Sequence, residues 1–123
     1  KCDSFQRHNK HIKVITKSGI SSIALNSIIY IEKVDRHVVI RTPAKDYIIK
    51  DSLKSMKKLL DKRFYETHQS FIVNIEAIRE LKIRENRSWD ILFHNLDEYA
   101  ILSRYKSKGF IKEFEKHKSD VDY

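Results

Sequence analysis

Phe64-Tyr65-Glu66-Thr67-His68-Gln69-Ser70-Phe71-Ile72-Val73-Asn74 sets apolar anchors, Phe64, Phe71 and Val73, around a run of side chains suited to hydrogen bonding. Two short strands flanking a polar loop account for that contrast, and a loop held by a packed frame is where binding side chains collect. Immediately upstream, Leu53, Met56, Leu59 and Leu60 recur at the spacing of one helical face. This predicts an amphipathic helix over about residues 52–61, its apolar face buried and its start capped by Asp51 or Ser52. The local order is helix, strand, polar loop, strand.

Working back from there, residues 1–10 are polar apart from Phe5 and read as a linker. From His11, Ile12, Val14 and Thr16 alternate with Lys13, Ile15 and Lys17, and Lys17-Ser18-Gly19 turns the chain before Ile20 to Leu25, a hairpin signal. Asn26-Ser27 interrupts. Ile28 to Ile31 is then a continuous apolar segment, as in a strand buried on both faces. Glu32 to His37 reads as a charged link into the β-branched strand Val38 to Thr42, and Tyr47-Ile48-Ile49 returns after a turn.

Downstream, Ile75 to Ile83 reads as a turn and a strand. Trp89 to Phe93 and Glu98 to Leu102 follow as strands separated by the polar turns Glu85 to Ser88 and His94 to Asp97, a β-meander. Trp89, Phe93 and Tyr99 alternate with polar residues as core side chains do. Phe110, Ile111 and Phe114 line one side of a C-terminal helix capped by Ser103 or Ser107, and residues 116–123 read as a tail. The expectation is one mostly β domain over residues 11–115.

Lys plus Arg number 25 against 17 Asp plus Glu, a formal charge of +8 that attracts polyanions before any specific contact forms. Nucleic acid is the partner this favours. There is no long apolar run or basic amphipathic helix with an aromatic face, so no membrane partner is expected. No leader pattern opens the chain, and a lone cysteine, Cys2, precludes an intrachain disulfide and fits a reducing compartment. Six histidines are present, yet none forms a helical ligand pair; His8 and His11 are assigned to the linker and His117 to the tail. With no phosphate-cradling glycine loop, nucleophile elbow or paired carboxylates, neither a metal, a cofactor nor enzyme activity is expected.

Candidate binding side chains fall at apparent strand ends in three separate places: Arg36-His37, His68-Gln69-Ser70, and Ser103-Arg104 with Lys106 and Lys108 beyond. Glutamine pairs bidentately with adenine and arginine with guanine, while histidine can donate or accept at a base edge. Ser70, Lys33, Lys106 and Lys108 suit phosphates. The plainer readings make His68 a strut that shapes its loop and Arg104 a cap or solvated ion.

The order of elements and these residues resemble the LytTR DNA-binding domain, the C-terminal output module of AlgR/AgrA/LytR response regulators of bacteria. Phe64, His68, Ser70 and Val73-Asn74 fit the family's hallmark, and Ile101-Leu102-Ser103-Arg104-Tyr105 resembles its strand-to-helix segment; the likeness spans roughly residues 10–112. Glu66 stands where the family usually carries arginine, so that contact does not transfer.

The resemblance implies an elongated β-sheet fold whose loops enter successive major grooves without a recognition helix. Base contacts then fall to Arg36 or His37, Gln69 and Arg104, and phosphate contacts to Lys33, His68, Ser70, Lys106 and Lys108. Gln69 replaces the asparagine of some members and lengthens the reach of the amide. The resemblance further implies a cytoplasmic regulator of transcription on double-stranded promoter DNA. Phosphorylation of an N-terminal receiver, expected upstream because the chain opens at Lys1, would favour dimers on direct repeats. The rival readings are a small β-rich RNA-binding module and a protein-interaction domain with an incidental basic face.

Overall fold

The alternation around Ile12 and Val14 forms a strand, β1 (His11–Thr16), which pairs antiparallel with β2 (Gly19–Ala24). Gly19, at φ 140, takes a backbone conformation that side chains disfavour, which lets the hairpin turn in so few residues. The computed structural model describes residues 10–121, with residues 118–121 described by their backbone alone. The linker assigned to residues 1–10, with Cys2 and His8, lies almost wholly outside them.

Five strands form the central sheet in the order β5-β4-β3-β7-β6. They are β3 (Tyr30–Val34), β4 (His37–Arg41), β5 (Asp46–Ile49), β6 (Phe64–His68) and β7 (Phe71–Asn74). The meander β8 (Ile78–Ile83), β9 (Trp89–Phe93) and β10 (Leu96–Leu102) makes a separate three-stranded sheet. Helices α1 (Leu53–Lys57) and α2 (Ser107–Val121), with short 3-10 turns at Leu25–Ser27 and Ile75–Ala77, complete the described elements.

Because strand side chains alternate between faces, the central sheet can bury both. Ile31, Ile40, Phe64 and Ile72 pack on one side with Ile12, Val14 and Ile23 of the hairpin and Leu53 and Met56 of α1. Tyr30 and Val73 pack on the other with Ile78, Ile91 and Phe93 of the meander and Phe110 of α2. The sheet is therefore the middle layer. Of the apolar run Ile28 to Ile31, expected as one strand, only Tyr30 and Ile31 lie in β3, Ile31 facing one core and Tyr30 the other. Ile28 and Ile29 precede the strand and are buried in the same two cores. Asn74, 2% exposed, is affordable in this interior because its amide is satisfied at both ends. Its Nδ2 donates to the Ile28 carbonyl at 2.9 Å and its Oδ1 accepts from the Glu76 N–H at 2.9 Å.

The mostly β architecture, both hairpins and the meander follow the sequence pattern; several boundaries do not. The helix expected over residues 52–61 is confined to Leu53–Lys57, capped by Ser52, whose Oγ accepts from the Ser55 N–H at 3.1 Å. Bonds of the i→i+3 type then close the chain into turns, and Lys57 Nζ donates to the Phe64 carbonyl at 2.6 Å. Leu59 consequently leaves the apolar face and is 44% exposed, while Leu60 packs against the core. The charged link assigned to Glu32–His37 is mostly strand: Val34 pairs with His37, so only Asp35 and Arg36 turn. Charge is tolerated there because Arg41 bridges Glu32 at 3.0 Å and Asp46 at 2.6 Å across three neighbouring strands.

At the C-terminus α2 runs on to Val121, so His117, assigned to the tail, lies in a helix; His11, assigned to the linker, belongs to β1. Neither expected serine accepts a helical N–H as a cap. Ser103 accepts from the Tyr105 N–H in the turn before the helix, at 3.1 Å, and Ser107 Oγ donates to the Arg104 carbonyl at 2.9 Å. Trp89 and Phe93 join the core as expected, but Tyr99 is 47% exposed. It stands on the outer face of β10, where the Arg84 guanidinium lies 5.5 Å from its ring centre and holds it in place.

Candidate nucleic-acid interface

Thr67 governs the geometry of the site. It is the extra residue where the β6–β7 register shifts between Glu66 and His68, a bulge that re-aims its side chain. The fully buried Thr67 hydroxyl donates to the Ile101 carbonyl of β10 at 2.9 Å, and the Ser103 N–H donates back to the Thr67 carbonyl at 2.7 Å. These two bonds fasten the Gln69 turn to the segment that carries Arg104.

The turn itself is set by His68, whose Nδ1 accepts from the Ser70 N–H at 3.1 Å while its ring stands edge-on to Phe71. With Nδ1 accepting, Nε2 carries the proton and can donate outward. His68 is thus the strut of its loop and keeps one donor for a ligand. Gln69 is exposed, and the Ser70 hydroxyl makes no hydrogen bond among the described residues.

The Lys33 N–H donates to the Ser70 carbonyl at 2.8 Å, and Glu32 pairs with Phe71. Since β3 and β7 are antiparallel, the turn that leaves β3 and the turn that enters β7 lie at the same end of the sheet. Asp35-Arg36, with His37 beside them, therefore project next to Gln69-Ser70. The Asp35 φ of 55 lets this turn close in two residues. Lys33 and Arg36 are exposed and His37 half-buried.

Arg104 lies beyond the Thr67 link. Its Nη2 donates to the Tyr105 hydroxyl at 2.8 Å and its guanidinium lies 4.9 Å from the ring centre. Gln69 and Arg104 line one open groove together with His68 and Lys106, and Lys108 is exposed on the first turn of α2. All three sequence-assigned places thus gather at one end, in the order β3–β4 turn, β6–β7 turn, β10–α2 segment.

The groove has a further wall that sequence reading did not assign: Arg84, Asn86 and Ser88 of the β8–β9 hairpin, and Tyr105. The polar turn at Glu85 to Ser88 was legible as a turn, but nothing local places it opposite Gln69. The hydrogen bond to Asp90 first, then that to the Tyr99 hydroxyl, raise the Arg84 pKa and keep it a fixed cation. Among the described residues no cluster of three or more His, Cys, Asp or Glu could hold a metal ion, and no helix is long and apolar enough to cross a membrane.

A middle sheet clasped between a hairpin and a meander is the architecture of a LytTR-type domain. The chain belongs to the LytTr DNA-binding domain family, whose sequence pattern matches residues 18–115. It is 31% identical over 112 residues to the sensory transduction protein LytT of Bacillus subtilis, covering 89% of this chain and 44% of that protein. It is 28% identical over 105 residues to the transcriptional regulatory protein YpdB of Escherichia coli, covering 85% and 43% respectively. The chain therefore spans less than half the length of these curated relatives. A solved LytTr DNA-binding domain, from a Bacillus cereus protein described as a methyl-accepting/DNA response regulator, has the same fold. Its TM-score is 0.73 at 23% identity, covering 83% of this chain and 94% of that one.

Proposed function

We propose that this domain binds double-stranded promoter DNA sequence-specifically through the three turns gathered at one end of the central sheet. Gln69, Arg104 and Arg36 or His37 read base edges, and Lys33, His68, Ser70, Lys106 and Lys108 hold phosphates. The observation that carries the reading is the convergence of these distant segments, with the middle one fastened to the last through Thr67. Paired strands lie ~4.8 Å apart and the Ser103 N–H bond to the Thr67 carbonyl holds the last segment at a similar spacing, so the outer two loops are separated by roughly 15–20 Å of backbone. With the reach of arginine and histidine added, the span approaches the ~34 Å of one helical turn, as entry into successive major grooves requires. Gln69 then sits between the outer two.

Within a whole protein the domain serves as the output half of a two-component response regulator in the cytoplasm, and a phosphorylated N-terminal receiver promotes homodimers on direct repeats. The names of the relatives support this assignment. One observation favours the RNA-binding alternative: Tyr105 is 82% exposed beside Arg104, as rings that stack on unpaired bases are.

Selection from a random double-stranded library, with single-stranded DNA and RNA as competitors, distinguishes the readings. An enriched duplex motif is the expected result. Preference for RNA, or no enrichment above bulk DNA, would overturn the proposal.

A further inference from the structure

A second groove lies between the β1–β2 hairpin and strand β5, lined by Ile15, Val34, Val39, Tyr47 and Ile48 among others. Ile20 extends it as the cross-strand partner of Ile15. Ile15 and Ile20 are each 72% exposed, Ile48 58% and Val34 41%. Exposed aliphatics scattered singly are ordinary, but a group of them sharing one groove marks a contact surface. The hairpin does not need Ile15 and Ile20 for its own packing, because Ile12, Val14 and Ile23 already supply its buried face.

The chemistry around the groove selects the occupant. β5 ends the central sheet, and among the described residues no strand pairs with its outer side. Lys45 and Lys50 stand at its two ends and Lys17 at the hairpin tip, all exposed. Of the acids at the groove, Asp46 is engaged by Arg41 at 2.6 Å, which leaves Asp35 beside the half-buried His37. A second copy of the chain would bring like charges together, and lysine at a sheet edge opposes such pairing. Residues 1–9 carry Lys1 and Arg7 against Asp3 alone and have the wrong sign. A nucleic acid would engage the lysines but leave the isoleucines without apolar partners.

We propose that this groove docks an extended acidic segment of a partner protein. Its apolar side chains seat on Ile15, Val34 and Ile48, and its carboxylates meet Lys17, Lys45 and Lys50.

The test is a titration of the isotope-labelled chain with a synthetic peptide of alternating valine and glutamate, followed by amide chemical shifts. A valine–lysine peptide and a short duplex DNA serve as comparison ligands. Shifts are expected around Ile15 to Ile20 and Lys45 to Lys50. Affinity should fall about tenfold in Ile48→Glu and in the Lys45→Glu, Lys50→Glu pair, equivalent to ~1.4 kcal/mol. These positions are exposed, and an unchanged melting temperature confirms that each variant folds. The proposal is overturned by absence of binding, by shifts at the β6–β7 turn instead, by equal binding of the lysine peptide, or by duplex DNA shifting the same amides.

Discussion

Thr67 donates its hydroxyl to the Ile101 carbonyl at 2.9 Å, across the gap between the central sheet and the meander. The bond joins residues 34 positions apart, and the Thr67 side chain that makes it is fully buried. It couples the stability of the layered core to the placement of the Gln69 and Arg104 loops.

Thr67→Val keeps the shape but leaves the Ile101 carbonyl without its donor. A loss of about 1–3 kcal/mol is expected, as for a buried group left unsatisfied. Sequence discrimination should fall as well, because only the Ser103 N–H bond to the Thr67 carbonyl then holds the two loops together. Urea midpoints and binding to cognate and scrambled duplexes measure the two effects; a variant with wild-type stability would remove Thr67 from its role.

Gln69→Ala and Arg104→Ala should each lose roughly 1–3 kcal/mol of discrimination at their own base pair while retaining non-specific binding. Binding to a set of single-base operator variants locates those positions. The bases read by Arg104 and by Arg36 or His37 should lie about one helical turn apart, roughly 10 base pairs, with that of Gln69 between them. Unchanged specificity in both variants would reduce these residues to phosphate or structural roles.

Replacing Lys33, Lys106 or Lys108 by alanine should weaken every duplex alike. Each lost phosphate contact should also reduce the magnitude of the salt-dependence slope by about 1. The check is a series of affinities against salt concentration; a lysine whose loss alters base preference instead does not belong to the backbone set.

Met56 and Leu59 should separate sharply. Met56 is 1% exposed, so Met56→Ala should cost about 2–5 kcal/mol, whereas Leu59→Ala should stay within about 0.5 kcal/mol because Leu59 already stands in solvent. Thermal melts of the two variants decide it. Equal losses would mean that the helix continues past Lys57 and buries both.

The alternations of β1 and the meander, and a helix cap at Asp51 or Ser52, were legible in residues adjacent in sequence. A strand's period or a capping hydroxyl is a local property of the chain. The charge excess likewise pointed to a polyanion partner, and the residue types at Arg36-His37, His68-Gln69-Ser70 and Ser103-Arg104 offered candidates for meeting it. Tertiary structure alone decided that these segments share one end of the sheet. It also ended α1 at Lys57, turned Leu59 outward, and brought Arg84, Asn86 and Tyr105 to the groove. Those outcomes rest on contacts between distant residues, such as the Thr67 and Ile101 bond and the Lys57 tie to the Phe64 carbonyl. Their free energy is gained only when separate layers pack, so no local spacing encodes it.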